Sequence, residues 1–195
     1  MGSLPAVGEI ELITQAQRGD RGAFGELVGI HSQGVINVIY RMCGDTQIAE
    51  EAAQEAFIQA WLHLSSYRPQ SSIRNWLYRI AVNAATDMFR KEKRILPTAI
   101  EDLPLRDPRP GPEASASHSE RIALIQKAIL SLPDASRAVL VLREYEEMSY
   151  HEIAETLDIP LGTVMSRLNY ARKLLKEKLE QALSLHTEVD YVQAR

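Results

Sequence analysis

The 195-residue sequence has a single cysteine, Cys43, so no internal disulfide framework can form; the composition fits a reducing cytosol. Its five histidines, His31, His63, His118, His151 and His186, include no metal-spaced pair. There is no glycine-rich phosphate loop and no nucleophile beside a base in a recognisable motif. No metal, no cofactor and no enzymatic activity are therefore expected. No apolar run approaches the roughly 18 residues of a spanning helix, so membrane insertion is not expected. The opening stretch MGSLPAVGEIELITQ lacks a basic region ahead of an apolar one, so no signal peptide is expected and the cytoplasm is the expected location. Period-two alternation is also missing, which argues against a sheet. What remains is ordinary soluble material, 45% hydrophobic and 25% charged, enough for one or two domains.

The net charge is small, but charge is not evenly spread. The net charge is −4, which argues against coating nucleic acid by charge alone. Yet Arg68 to Arg94 carries a net +5 and Pro160 to Lys178 a net +4, while Arg143 to Asp158 between them carries −5. Alternating blocks of this kind point to more than one partner surface.

Glu9 to Arg94 reads as helices throughout. Apolar residues recur at Ile10, Ile13 and Ala16, at Phe24, Leu27 and Val28, and at Val35, Ile36, Val38, Ile39 and Met42, with expected breaks at Gly19-Asp20, Ser32 to Gly34 and Gly44-Asp45. A helix near Gln47 to Leu64 turns Ile48, Ala52, Ala56, Phe57, Ala60, Trp61 and Leu64 inward, and a helix from Ile73 to about Lys93 does the same with Trp76, Leu77, Ile80, Ala81 and Ala84. From Leu96 to Ser119 the periodicity stops and five of the nine prolines cluster, the mark of a linker. Helices resume near Glu120, with Ile122, Ile125 and Ile129 expected on one inward face, followed by Val139, Leu140 and Leu142.

The stretch SYHEIAETLDIPLGTVMSRLNYARKLLKEKL, from Ser149, is the most informative. Ser149 and Glu152 form a capping box ahead of a short helix whose Ile153, Ala154 and Leu157 share a face. Asp158 tolerates a left-handed turn, and Pro160 stops the helix. A second helix starts near Leu161, with Leu161, Val164, Leu168, Ala171 and Leu175 inward. Small Ala154 lets the two helices approach, and Ile159 and Val164 fill the angle between them. Two helices with a tight turn, the second basic and polar on its outer side, suit a helix-turn-helix whose second helix enters a DNA major groove. A plain helical hairpin with a solvated basic face is the competing reading.

Three segments, AEEAAQEAFIQAW (Ala49 to Trp61), SIRNWLYRIAVNAATDMFRKEKR (Ser72 to Arg94) and LPDASRAVLVLREYEEMSYHEIAETLDIPLGTVMSRLNYARKLL (Leu132 to Leu175), resemble bacterial sigma-70 family factors. The best match is the small extracytoplasmic-function (ECF) group, and the resemblance covers about Ala23 to Leu179. It implies an all-α fold of two helical domains: residues 1–95, like sigma region 2, and 120–180, like region 4. A Pro-rich linker, 96–119, would join them, and 181–195 would be a tail.

The resemblance also assigns jobs. The outward residues Glu50, Glu51, Gln54 and Glu55 would dock on the β′ coiled coil of core RNA polymerase, since carboxylates and an amide along one face accept hydrogen bonds from Arg and Lys. Arg74, Asn75, Arg79, Asn83 and Arg90 would hold and read the separated strand of the −10 element, which needs positive charge and a pocket for an extruded base. Val82 stands where many relatives carry a basic residue, which would weaken the grip on the backbone there. Thr163, Met165, Ser166, Arg167, Asn169, Tyr170 and Lys173 would face the −35 element; many relatives have basic residues at the positions of Met165 and Tyr170. Phe57, Trp61 and Trp76 are assigned to the core, and Cys43 to a buried site. The second domain would also dock on the polymerase β flap, and the acidic linker residues Glu101, Asp102, Asp107 and Glu113 would follow a basic channel or serve as a tether. An anti-sigma factor is the expected regulator. A helix-turn-helix regulator acting without polymerase, and an adaptor protein, remain as alternatives at this point. The first would need a receiver domain, which residues 1–95 do not resemble, and the second leaves both basic segments unexplained.

Overall fold

The structure, a computed structural model, describes residues 7–69, 71–95 and 116–193. Among the described residues there are eight α-helices and no strand. In chain order they are α1 (Val7–Gln17), α2 (Arg21–Cys43), α3 (Thr46–His63), α4 (Ile73–Ile95), α5 (Ala116–Leu130), α6 (Asp134–Glu144), α7 (Tyr150–Leu157) and α8 (Leu161–Gln193). A single 3-10 turn, Leu64–Ser66, leads from α3 toward α4.

Local chemistry sets most of the boundaries. The Asp20 carboxylate accepts the N–H groups of Gly22 and Ala23 at the start of α2, and Asp45 accepts that of Ile48 at the start of α3. Gly44 closes α2 in a left-handed conformation, φ 79°, where a side chain would be strained. The expected break at Ser32 to Gly34 does not occur, and α2 runs straight through it. Gly34 has a packing reason instead: a Cβ there would lie 2.6 Å from the Tyr78 hydroxyl on α4.

The helices α2, α3 and α4 pack on one another, with α1 laid across α2. The inward side of α3 is almost all alanine, Ala49, Ala52, Ala53, Ala56 and Ala60, so its neighbours come close. Phe24 and Trp61 meet with ring centroids 5.0 Å apart, and Tyr67 and Trp76 at 5.3 Å, which places these tryptophans against the core as expected. Gln17 seals the 3-10 turn by donating to the carbonyls of Leu64 and Tyr67, each at 3.0 Å.

In the second half α6 is the central rod, with every residue from Ser136 to Leu142 buried. Helices α7 and α8 pack on it, and α5 packs on α8. Helix α5 starts at Ala116, four residues before the expected start at 120. Its expected inward face is also rotated: Ile122 and Ile125 are 39% and 40% exposed, whereas Gln126, Ala128 and Ile129 are buried. Helix α8 continues without interruption through 181–193, the span expected as a tail. The linker acids Glu101, Asp102, Asp107 and Glu113 lie outside the described residues.

The two halves touch. Helix α2 packs on α5 and α6, and α4 packs on α7. Arg137 of α6, 1% exposed, donates to Ile129 O at 3.2 Å, Leu130 O at 2.6 Å, Leu132 O at 2.7 Å and Met42 O at 2.7 Å. Met42 and Leu130 stand at the C-terminal ends of α2 and α5, where carbonyls lack partners within the helix and the dipole favours a cation. Arg41 donates to Gln126 Oε1 at 3.2 Å and lies 4.5 Å from the Tyr145 ring centre. Arg137→Met keeps an apolar stem but abandons four carbonyls, so it should lower the unfolding free energy by roughly 3 kcal/mol. Urea denaturation followed by circular dichroism would measure this, and a loss under about 1 kcal/mol would refute the assignment.

Candidate nucleic-acid interface

The helix-turn-helix forms as its sequence dictates. Ser149 Oγ accepts the Glu152 N–H at 3.2 Å, and Glu152 Oε2 accepts the Ser149 N–H at 2.8 Å. Asp158 takes the left-handed conformation at φ 53°, and Ile159 N–H donates to Ala154 O at 3.0 Å. The carbonyl of Pro160 then accepts the N–H groups of Thr163 and Val164, opening α8. Val164, Leu168 and Ala171 are buried between the helices, and Arg172 ties α8 to α6 by donating to Glu144 at 2.7 Å.

That packing leaves one side of α8 open. Met165, Ser166, Asn169, Tyr170 and Lys173 are exposed, Met165 and Tyr170 by 46% and 53%, while Thr163 and Arg167 are half-buried on the flank. All seven residues expected to face DNA therefore reach the surface, with Met165 at one edge of that side and Tyr170 nearer its middle.

The α4 candidates divide. Arg79, Asn83 and Arg90 are exposed and, at 100° per residue, fall within about 40° of one another. Arg74 is exposed but lies about 140° away from Arg79 around the helix, with its guanidinium 5.5 Å from the Tyr78 ring centre. Asn75 is a correction. It is 4% exposed, because it falls on the same side as the buried Tyr78 and Val82, and its backbone N–H is taken by Ser72 Oγ. Its Oδ1 is buried with no hydrogen-bond partner, so it is not a surface contact for DNA. Val82 is also buried, at 5%, so its position faces the core and says nothing about backbone grip.

On α3, Glu50, Glu51, Gln54 and Glu55 are all exposed, with Gln47 donating to Glu51 and Gln59 to Glu55 one turn away. Two residues missed from the sequence continue this side: Ile58 and Leu62, 54% and 62% exposed, lie within about 20° of Glu51. The signal was available, since both are out of phase with the inward stripe Ala52, Ala56 and Ala60. Cys43 is buried, its thiol 3.3 Å from Asp45 O. Among the described residues no cluster of His, Cys, Asp and Glu could hold a metal, and no helix is long and apolar enough to cross a membrane.

The Sigma-70 region 2 family matches residues 27–95, and the Sigma-70 region 4 family matches residues 122–175. Similar proteins include the ECF RNA polymerase sigma factor SigW of Bacillus subtilis (strain 168), 36% identical over 86% of this chain and 94% of its own. The RNA polymerase sigma-H factor of Pseudomonas aeruginosa is 36% identical over 89% and 94%. The chain belongs to the sigma-70 family, in its ECF group. Solved structures agree on the fold. CnrH in complex with the cytosolic domain of CnrY superposes with a TM-score of 0.66 at 25% identity, over 89% of this chain and 97% of that one. The sigma factor RpoE of Bartonella quintana, in complex with the anti-sigma factor NepR, gives 0.64 at 22% identity over 80% and 96%. Sigma factors are non-catalytic DNA-recognition subunits of RNA polymerase, so this one is not an enzyme.

The capping box has a measurable signature. The Ser149 N–H holds the Glu152 carboxyl below the ordinary value of 4.5. A carboxylate whose folded pKa is depressed contributes stability above its unfolded value and loses it as pH falls through the folded one. Ser149→Ala should cost about 1 kcal/mol at pH 7. Glu152→Gln should cost a few tenths of a kcal/mol at pH 7, a difference that vanishes in acid. Urea titrations across the acid range would check both.

Proposed function

We propose that this sigma factor directs core RNA polymerase to promoters through three separate surfaces. The outer side of α3, with Glu50, Glu51, Gln54 and Glu55, docks on the β′ coiled coil. The exposed stripe Arg79, Asn83 and Arg90 on α4, with Arg74 on another side of the helix's first turn, binds the opened −10 strand. The outer side of α8, from Thr163 to Lys173, reads the −35 element, and residues 116–193 also meet the β flap. The residues 1–95 and 116–193 thus act as two functional units, working in the cytoplasm under the control of an anti-sigma factor. The observation that carries the reading is the α8 face: a capped helix-turn-helix whose inward residues are buried and whose seven outward residues form one contiguous surface.

Run-off transcription with core polymerase tests the whole reading, because activity must depend on both proteins. Glu51→Lys combined with Gln54→Ala should weaken core binding at least tenfold while changing folding stability by under about 0.5 kcal/mol. Unchanged core affinity would move the docking surface elsewhere.

The −35 face makes a second prediction. Met165 and Tyr170 offer apolar contact where Arg would reach guanine edges or phosphates. The −35 element should therefore be read partly through thymine methyls and DNA shape, with few Arg–guanine pairs. Met165→Arg should tighten binding and shift one preferred base toward G, as selection from a randomised −35 library would show. An unchanged consensus would mean that Met165 does not face the groove.

A further inference from the structure

Helix α1 lies ahead of the matched region 2, which begins at residue 27, and it forms no part of the surfaces assigned above. It is fixed at both ends all the same. Near its start, Glu9 Oε1 meets His31 Nε2 of α2 at 2.9 Å, with both side chains largely buried. Ile13 and Ala16 are buried in the core. At its last residue, Gln17 directs its amide nitrogen at the chain between α3 and α4, donating to the carbonyls of Leu64 and Tyr67. Both partners are acceptors only, so the side chain must present its NH2 group.

The connection held in this way is tightly tied for a surface segment. Its described residues are 64–69, 71 and 72. Leu64 O also accepts the Tyr67 N–H at 3.1 Å, and Arg68 donates to Ser65 O at 2.9 Å and to Tyr67 O at 3.1 Å. Tyr67 is 4% exposed; its hydroxyl donates to Ser71 O at 2.7 Å and its ring packs on Trp76 of α4. Burial and the Glu9 carboxylate raise the Tyr67 hydroxyl above its ordinary pKa, so it stays a donor. Ser72 Oγ then accepts the Asn75 N–H in the first turn of α4. The carbonyls of Leu64, Ser65, Tyr67 and Ser71 are thus met by protein donors, while the side chains of Ser65, Ser66, Arg68 and Pro69 stay exposed. The backbone is fixed and its outer side is open, just before the helix that carries Arg79, Asn83 and Arg90.

A base taken out of the stack loses its pairing and stacking, so the surface that receives it must be shaped in advance. A segment that had to be ordered on binding would lose affinity to that ordering. We propose that Gln17 and the Tyr67 hydroxyl are positioning residues for −10 reading. Neither touches the DNA. Gln17 fixes the first part of the connection from α1, and the Tyr67 hydroxyl fixes its second part at Ser71. Together they hold the backbone that leads into α4, with Arg68 and the first turn of that helix, in the form the −10 strand meets. This rests on the assignment of α4 to the opened −10 strand, and it gives α1 a part in promoter reading.

The test uses holoenzyme rebuilt from core polymerase and the full chain. Gln17→Met keeps the length of the side chain and removes its donors, and Gln17→Lys restores donors. Tyr67→Phe removes the hydroxyl and keeps the ring on Trp76; it carries the test alone where Gln17→Met fails to fold. Circular dichroism and thermal melting establish folding. Run-off yields from templates with single changes in the −10 or the −35 element are compared within one preparation of each variant, so the fraction of active protein cancels. Gln17→Met and Tyr67→Phe should each weaken the preference at one −10 position about fivefold and leave −35 preferences within about twofold of wild type. Gln17→Lys should restore most of the −10 preference. Unchanged −10 preferences in both variants, or equal losses at −10 and −35, would overturn the proposal. A preference that Gln17→Lys fails to restore would overturn it for Gln17, since packing rather than donation would then be responsible. Arg79→Ala separates the proposal from the reading beneath it. A −10 preference lost in Arg79→Ala but kept in Gln17→Met and Tyr67→Phe leaves α4 as the −10 surface and overturns only the positioning role. A wild-type holoenzyme indifferent to the −10 sequence would refute both.

Discussion

A buried guanidinium organises the second half of the molecule and fastens it to the first. Arg137 gives hydrogen bonds to three carbonyls at the α5–α6 junction, at Ile129, Leu130 and Leu132, and one to Met42 at the end of α2. Burying an arginine costs several kcal/mol unless its donors are satisfied. Here they are, and two of the acceptors, Met42 and Leu130, are carbonyls at helix C-terminal ends, where partners within the helix run out. Burial still lowers the pKa of Arg137, with Asp134 opposing that from 3.5 Å. Because α6 is buried along seven consecutive residues, fixing its first turn fixes the platform on which α7 and α8 stand.

The split of those bonds matters for function. Three of the four acceptors belong to the same half as Arg137, so separation of the halves surrenders only the Met42 bond. A hydrogen bond from a charged group is worth about 1.5–3 kcal/mol, and water can replace it at the exposed carbonyl. The Arg79–Asp158 pair adds little, since both side chains are largely exposed, at 46% and 79%. The Tyr78–Glu146 bond, the contacts of Arg41 with Gln126 and Tyr145, the Gln126–Tyr40 bond and the close fit of Leu130 over Gly44 add to it. An interface of that composition holds two bodies together yet lies within reach of the free energy of binding a large partner.

What could be read from the sequence, and what could not, follows the range of the interaction. Ser149, Glu152, Asp158 and Pro160 act over a few residues, and the capping box and left-handed turn formed as their chemistry required. The inward set Val164, Leu168 and Ala171 follows from periodicity alone. Errors arose where a distant element decided. Gly34 looked like a helix break because its reason, the Tyr78 hydroxyl, lies 44 residues away in sequence. Ile122 and Ile125 looked inward because apolar residues usually are, yet Gln126 took the buried position to meet Arg41 and the Tyr40 carbonyl. Asn75 looked available as a polar residue in the first turn of a basic helix, but tertiary packing covers that side of α4 and buries it beside Tyr78 and Val82.

The alternation of charge along the chain now has a structural meaning. In the folded chain the acidic block lies between the two basic ones, with Asp158 on α4 and Glu144 on α8 through Arg172. Arg79 and Arg172, one cation from each basic block, are thereby paired with carboxylates of the acidic one, within a chain of net charge −4. Each cation engaged this way is unavailable for the counterion release that drives non-specific DNA binding.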